Sequence, residues 1–358
     1  MEHKIEAIDY LRGLSLFAII IIHVIAWHDT LIITKYSQVP FFFYLRDFLQ
    51  FSVVTLVVCS GFSLYKSHGK LALKKKDITD FYVKRIKRIL LPWWVFLTIF
   101  FLVHAVIKIL FNRELTDLSG RFILLSFLMA GGIGFGWLII LMLVLSLLFP
   151  FLKYWYDYFD RKIIFVIFAS AYLLSIFLFN ILGRPVVILA VSFVLGWSIV
   201  YFVGFLLEGL YNEHPFVKKE LQLTFAFAFL FIVIGAAYMH LGLSRMLYLN
   251  KYPPSPYYLS FGLMMTFILL TLFFSCKHFI HAHLKRVLSF FSSNSFWLFM
   301  WNALTISLIT PLMYAIDLRN IYFKLAADVA LNIIAVSFLV LLQKKLIKIK
   351  MHDEKHHF

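Results

Sequence analysis

Apolar residues run in long stretches along the whole chain, and polar residues collect between them. The stretches 89–103 and 138–152 have almost no polar interruption. A helix needs about 20 mostly apolar residues to cross the hydrocarbon core of a bilayer. Spans are predicted on that basis at residues 8–28, 42–65, 89–111, 136–152, 162–182, 186–209, 221–242, 256–276, 288–312 and 323–346. The pattern predicts an all-α fold, a polytopic membrane helical bundle of about ten transmembrane helices.

The composition agrees with a membrane protein and offers no room for a large soluble domain. Hydrophobic residues make up 62% of the chain and charged residues 15%, whereas a soluble domain has roughly 25% charged residues. The short polar lead-in of the first span, with no cleavage site after it, predicts a retained helix and not a signal peptide. We expect a membrane domain over 1–347 and a basic cytoplasmic tail over 348–358.

The formal net charge of +16 is explained by topology and does not indicate nucleic-acid binding. Most Lys and Arg residues fall in the segments that share a side with the two termini, as the positive-inside rule requires. Both termini are therefore predicted to be cytoplasmic, in a multi-pass protein of the cell (inner or plasma) membrane. Cys59 and Cys276 lie inside or at the end of spans, so no disulfide framework is expected. No metal site is predicted.

The first span carries ionisable residues, which are costly inside a membrane and often functional. Arg12 and His23 are eleven positions apart, almost three helical turns, so they point to one face roughly 16 Å apart along the axis. Asp9 lies near the start of the span. A neutral imidazole can accept a proton from a hydroxyl or attack a thioester itself. The alternative is a snorkelling Arg12 and a His23 hydrogen-bonded to a neighbouring helix.

A basic cluster precedes the third span. Arg85 and Arg88 are three positions apart, on one face of a helix start. Two guanidinium groups there can bind phosphates from the cytoplasmic side. The alternative is a positive-inside anchor followed by aromatic residues of the interface.

Small and aromatic residues form two further motifs. Ser60 and Gly61, near the inner end of the second span, allow close helix packing. Trp137 follows a glycine-rich stretch, 131–136, that is predicted to be either a re-entrant element or a flexible loop. Trp137 itself is either an interfacial anchor or a substrate platform.

Together these motifs resemble the acyltransferase-3 family of membrane acyltransferases, over nearly the whole chain. Arg12 and His23 match the family's basic residue, ten residues, then His in the first span. Asp9 matches the acidic residue that usually precedes the Arg. These three residues are the catalytic candidates that the resemblance implies.

Other motifs follow in the family's order. Arg85 and Arg88 match its Arg-x-x-Arg, and Ser60 begins its Ser-Gly-Phe. Trp137 is similar to the Trp before the fourth span. The resemblance makes these four residues the candidates for binding acyl-CoA. Late in the chain Asn302 stands where the family often has His, so no role is assigned to it.

The resemblance implies transfer of an acyl group, usually acetyl, from acyl-CoA to a hydroxyl of an envelope or exported glycan. The expected partners are acyl-CoA as donor substrate, a carbohydrate or lipid-linked glycan acceptor, and the lipid bilayer, with no nucleic acid and no tightly bound cofactor. Three other functions stay open. One is a carrier of a lipid-linked sugar or small solute, which would use the same buried charges. The second is a succinyl or N-acyl transfer variant, and the third is an inactive assembly scaffold.

Overall fold

The chain folds into helices joined mostly by short connections. The computed structural model describes residues 2–31, 39–69, 71, 74–183, 185–211, 216–276, 280–316 and 320–355. Its helices are α1 (Glu2–Leu31), α2 (Pro40–Phe48), α3 (Phe51–His68), α4 (Lys75–Phe111), α5 (Gly120–Phe127), α6 (Gly136–Tyr158), α7 (Arg161–Ile181), α8 (Val186–Tyr211), α9 (Phe216–His240), α10 (Pro256–Ser275), α11 (Ala282–Ser293), α12 (Ser295–Ala315) and α13 (Ile321–Lys355). No β-strand occurs among these described residues, so the all-α prediction is confirmed.

Ten stretches of the described helices are long and apolar enough to cross a membrane. They cover Glu6–Ala26, Pro40–His68, Lys75–Phe111, Gly136–Tyr158, Arg161–Ile181, Val186–Gly209, Lys218–His240, Pro256–Ser275, Ser295–Ala315 and Ile321–Leu346. The predicted polytopic bundle of about ten spans is confirmed, while the cytoplasmic placement of the termini stays a prediction. Helix α13 continues through the predicted tail to Lys355, and residues 356–358 lie outside the described residues.

Two span starts differ most from the sequence expectation. Helix α4 begins at Lys75 and not near residue 89, because the polar stretch before Pro92 contains neither Gly nor Pro and continues as regular helix. Arg85 and Arg88 therefore lie well inside a helix and not at its start. The ninth span begins at Ser295 and not at residue 288, since Asn294 (φ −115°, ψ 12°) leaves the helical conformation.

The described chain divides into two compact units. Unit 1 comprises residues 1–15, 47–91 and 137–292. In this unit α3 and α8 touch backbone to backbone, because a Cβ on Gly61 would lie 2.1 Å from the carbonyl oxygen of Tyr201. A Cβ on Gly204 would lie 2.3 Å from the carbonyl oxygen of Val58. Small residues at such contacts allow membrane helices to pack closely, as the Ser60-Gly61 pattern predicts.

Unit 2 comprises residues 16–46, 92–136 and 293–358. Its apolar core is formed by the second half of α1, by α2, by α12 and by the start of α13. The buried residues of that core are Val24, Ile25, Phe42, Ile306 and Leu325. This packing holds the second half of α1 beside α12, and the candidate histidine lies on that half.

Candidate active site

His23 faces an amide side chain from the far end of the sequence. It lies on α1, within unit 2, and its Nδ1 atom is 2.9 Å from Nδ2 of Asn302 on α12. Asn302 is completely buried, with 0% of its surface exposed, while His23 is partly buried. A partly accessible imidazole that contacts a fully buried hydrogen-bonding group is held in orientation and keeps access to a reactant.

Two aromatic rings contact the imidazole, one from the turn before α6 and one from α12. The ring of Phe135 meets it edge-on, with centroids 4.7 Å apart. The ring of Phe299, one turn before Asn302 on α12, lies 5.8 Å away. These apolar walls reduce the water around His23, which favours proton transfer to and from a bound reactant over exchange with solvent.

The glycine-rich stretch positions Phe135. Ser126, at the end of α5, accepts a hydrogen bond at its Oγ from the backbone N–H of Ile133, at 3.1 Å. Gly132 has φ +74°, and a Cβ there would lie 2.0 Å from the same Oγ, so only glycine fits. Trp93 Nε1 donates to the carbonyl oxygen of Ser126 at 3.3 Å. The stretch therefore has a defined fold against α4 and α5, and its depth in the membrane stays a prediction.

Arg12 and Asp9 form a separate polar cluster in unit 1. Arg12 Nη1 lies 3.6 Å from Asp9 Oδ1. Arg12 Nη2 donates to the carbonyl oxygen of Cys59 at 3.1 Å and to Oγ of Ser63. Ser292 donates from its Oγ to Asp9 Oδ1 at 2.9 Å. The cluster joins α1 to α3 and α11, so within this unit Arg12 orients helices as well as holding Asp9.

The catalytic candidates thus share helix α1 but have different neighbours. The structure brings Asp9 and Arg12 together in unit 1. It brings His23 together with Asn302 in unit 2. The candidate histidine and its amide partner are separated by 279 positions along the chain.

Arg85 lines a cavity of about 410 Å³ in unit 1. Its Nη2 lies 3.4 Å from Nδ1 of His68, and its guanidinium stacks over the ring of Phe81 at 5.4 Å. Arg88 is exposed and does not line this cavity. Among the described residues, the lining is His68, Leu71, Asp77, Asp80, Phe81, Lys84 and Arg85. Of these, Lys84 and Arg85 attract a phosphate and the two carboxylates repel it, so the charge of the described lining alone does not make the cavity a phosphate site.

The other two binding candidates lie apart from this cavity. Ser60 donates from its Oγ to the carbonyl oxygen of Leu56 at 2.8 Å, one turn earlier on the same helix. Trp137 is the second residue of α6, whereas Phe149, an α6 residue that contacts His68, lies twelve positions later. That separation is about 18 Å along the helix. The structure therefore does not place Trp137 beside Arg85.

Trp137 instead belongs to a cluster that contains Lys251. The ammonium group of Lys251 lies 4.7 Å from the Trp137 ring centroid and 5.5 Å from that of Tyr252. It also approaches Oε1 of Gln50 at 3.4 Å. Desolvation by burial lowers the pKa of Lys251 from 10.5 to about 7, and burial also raises the pKa of Tyr252. Lys251 therefore changes charge in the neutral range, beside two aromatic rings.

Sequence reasoning missed a buried carboxylate in the tenth span. Asp328 is 0% exposed and accepts hydrogen bonds from Thr310 Oγ1 at 3.1 Å and Asn332 Nδ2 at 2.7 Å. The sequence does contain a pattern that could have revealed it. Asp328 and Asn332 are polar residues in an apolar span, and because they are four positions apart they share one face of the helix. The contact between Asn302 and His23 had no such signal, since nothing local in the sequence joins the two residues.

In the described residues, ten helical stretches are long and apolar enough to cross a membrane. A histidine and a buried amide are paired between two of them. These features define a multi-pass membrane protein with a polar site among its spans. A family model described as an acyltransferase domain (Acyl_transf_3) matches residues 5–342, nearly the whole chain. The chain belongs to this acyltransferase-3 family and is a membrane acyltransferase. No curated protein and no solved structure matches it.

Proposed function

We propose that this membrane acyltransferase moves an acyl group, acetyl in the family's usual chemistry, from acyl-CoA to a hydroxyl of an envelope or exported glycan. The observation that carries the proposal is the surroundings of His23. The residue at the family's histidine position is partly accessible, contacts a buried amide through Nδ1, and lies against two aromatic rings. This environment suits a general base or an acyl carrier.

As a general base, His23 takes the proton of the acceptor hydroxyl while that oxygen attacks the thioester carbonyl carbon. The carbon–sulfur bond then breaks, and the imidazolium returns a proton to the departing thiolate of coenzyme A. As an acyl carrier, the imidazole nitrogen attacks the thioester carbonyl carbon, the carbon–sulfur bond breaks, and coenzyme A leaves as a thiolate. The hydroxyl then attacks the acyl-imidazole, the carbon–nitrogen bond breaks, and the proton of the hydroxyl passes by way of the freed imidazole to the thiolate. Both routes end in an ester and free coenzyme A, and both need an unprotonated nitrogen on His23.

The donor site is proposed at the cavity lined by Arg85. Arg85 and Lys84 supply positive charge for the phosphates of acyl-CoA, and Arg88 lies one turn further along α4. Guanidinium groups bind phosphate in bidentate geometry. Arg85 is already oriented by its contacts with His68 and Phe81, so little of its side-chain freedom remains to be lost on binding.

Acetyl-CoA binding to the purified protein in detergent tests the donor site without knowledge of the acceptor. A ligand at about 100 times its Kd stabilises the folded state by roughly 2.7 kcal/mol. We expect acetyl-CoA to raise the Tm of the wild type and of a Lys87→Ala control, and to have little effect on an Arg85→Ala/Arg88→Ala variant. No shift at millimolar acetyl-CoA, in well-folded protein, would favour the carrier or scaffold function instead.

Transfer of labelled acetyl groups from acetyl-CoA to the glycan fraction of membranes tests the role of His23. General base catalysis contributes about 10²–10⁴-fold, so His23→Ala should lose nearly all transfer while the protein remains folded. Asn180→Ala is a suitable control, because the amide of Asn180 is exposed and bonds only its own helix, at the carbonyl oxygen of Ile176. Wild-type transfer by both Arg12→Ala and His23→Ala would refute the mechanism.

A further inference from the structure

The carboxamide of Asn302 contacts Nδ1 of His23, at 2.9 Å. It is completely buried, and its Oδ1 atom has no hydrogen-bond partner among the described residues. Two rings beside the imidazole, those of Phe135 and Phe299, carry no charge. An amide in this position has a larger influence on the imidazole than it would have in water, since nearby apolar groups screen it poorly.

Two orientations of this carboxamide fit the same space. Rotation by 180° about the Cβ–Cγ bond exchanges its oxygen and nitrogen atoms. If the amide nitrogen donates to Nδ1, the neutral imidazole carries its proton on Nε2 and cannot accept another there. If the amide oxygen faces Nδ1, it accepts the Nδ1–H, and Nε2 keeps its lone pair. The orientation of Asn302 therefore sets the tautomer of His23.

Only the second orientation is compatible with chemistry at Nε2. Whether His23 acts as a general base or as an acyl carrier, it reacts through the lone pair on Nε2. After it has accepted a proton as a base, the imidazolium carries an N–H on both nitrogens. An amide oxygen accepts a hydrogen bond from Nδ1–H before and after that proton transfer. An amide nitrogen would meet the Nδ1–H of the imidazolium with its own N–H, which is repulsive.

We propose that Asn302 is a positioning residue whose carboxamide oxygen accepts the Nδ1–H of His23 and so reserves Nε2 for the reaction. The assignment rests on the proposed function of His23 and deepens it. Asn302 acts through the imidazole and needs no contact with donor or acceptor. Partners that fix the orientation of metal-ligating histidines are worth about 10–100-fold in affinity or activity, and we expect a loss of the same order here.

The variants Asn302→Asp and Asn302→Leu test whether Asn302 acts by accepting a hydrogen bond from His23 or only by filling space. An ionised aspartate can only accept hydrogen bonds, so it should keep the proton of neutral His23 on Nδ1 and should also stabilise the imidazolium. Its pH–rate profile should rise at a pH at least about one unit higher than that of the wild type. Leucine has a similar size and accepts nothing, so transfer should fall about 10–100-fold. Ser307→Ala is the matched control, because the buried Ser307 bonds only the carbonyl oxygen of Leu304 on its own helix.

Diethyl pyrocarbonate modifies the unprotonated imidazole, so its reaction with His23 from pH 5 to 9, measured by peptide mass spectrometry, reports the protonation of His23 without any acyl transfer. We expect the Asn302→Asp curve to lie at higher pH than the curves of wild type and Ser307→Ala. Superimposed curves would overturn the proposal, as would full transfer by Asn302→Leu with an unchanged pH profile. A shifted curve, together with unimpaired transfer by His23→Ala, would uphold the contact and refute the proposed function of His23.

Discussion

The guanidinium of Arg12 donates a hydrogen bond to the main-chain carbonyl oxygen of Cys59, 3.1 Å away on α3. The same Nη2 atom reaches Oγ of Ser63, and Nη1 approaches Asp9. A charged donor is therefore used between two membrane helices, at the carbonyl oxygen of a buried residue. The residue that begins the family's Arg-to-His motif therefore has a structural role.

Replacement of Arg12 by lysine tests this structural role. Lysine keeps the charge but lacks the planar guanidinium group with its several N–H donors, so it cannot make the contacts with Cys59, Ser63 and Asp9 together. We expect the free energy of unfolding to fall by about 1.5–3 kcal/mol, the usual contribution of a charged hydrogen bond. Thermal unfolding in detergent measures it, with Arg121→Lys, an exposed position, as the control. A Tm equal to that of the control would show that the contacts are dispensable.

Gly61→Ala is expected to separate α3 from α8. The new Cβ would lie 2.1 Å from the carbonyl oxygen of Tyr201, a backbone atom that cannot rotate away. Overpacking of this kind costs about 1–3 kcal/mol. Gly120→Ala is the matched control, since a Cβ there meets nothing within 4 Å. Thermal unfolding of the two variants should differ, and equal Tm values would contradict the backbone contact described here.

Gly132→Ala should impair acyl transfer more than it impairs stability. A residue with φ +74° and a Cβ 2.0 Å from Ser126 Oγ must shift the turn that presents Phe135 to His23. Misplacement of a reacting group by about 1 Å can cost 10²-fold in rate. Gly134→Ala, where a Cβ meets nothing within 4 Å, should retain transfer. Unimpaired transfer by Gly132→Ala would show that Phe135 is not needed beside His23.

Asp80→Asn should tighten acetyl-CoA binding if the phosphates lie in the cavity beside Arg85. The change removes one of the two carboxylates in the described lining of the cavity. Exposed charge pairs are worth about 0.2–1 kcal/mol, so Kd should fall about 1.5–5-fold, and less at high salt. Isothermal titration at two salt concentrations measures the effect, with the exposed Glu114→Gln as the control. Weaker binding by Asp80→Asn would place the phosphates elsewhere.

Lys251 should make stability depend on pH in the neutral to alkaline range. Its folded-state pKa is lowered to about 7, whereas an unfolded lysine keeps a pKa near 10.5. Between these values the unfolded state binds the extra proton, so stability rises as pH increases from about 7 towards 10. Tm measured from pH 6.5 to 9.5 should rise more for the wild type than for Lys251→Met. Parallel curves for the two proteins would exclude this contribution.

The helical architecture was predictable because the bilayer sets a length of apolar chain that the sequence displays directly. The residues at which the helices begin and end were harder to predict. Nothing in the apolar pattern marks Asn294 as the break between α11 and α12, since serine and asparagine also occur inside spans. The sequence predicts Arg85 on one face of a helix start, as a phosphate-binding candidate, but the cavity that it lines depends on His68, which another helix supplies. His23 was found from the sequence, whereas its partner Asn302 depends on tertiary packing.

The contact between His23 and Asn302 has a consequence for the biosynthesis of the protein. Its two members are separated by 279 positions, so at about 5–20 residues per second the ribosome reaches the second roughly 15–55 s after the first. During that interval the first helix carries an imidazole into the membrane without its amide partner. Products truncated before α12 retain the whole first helix and yet lack the amide that contacts its histidine.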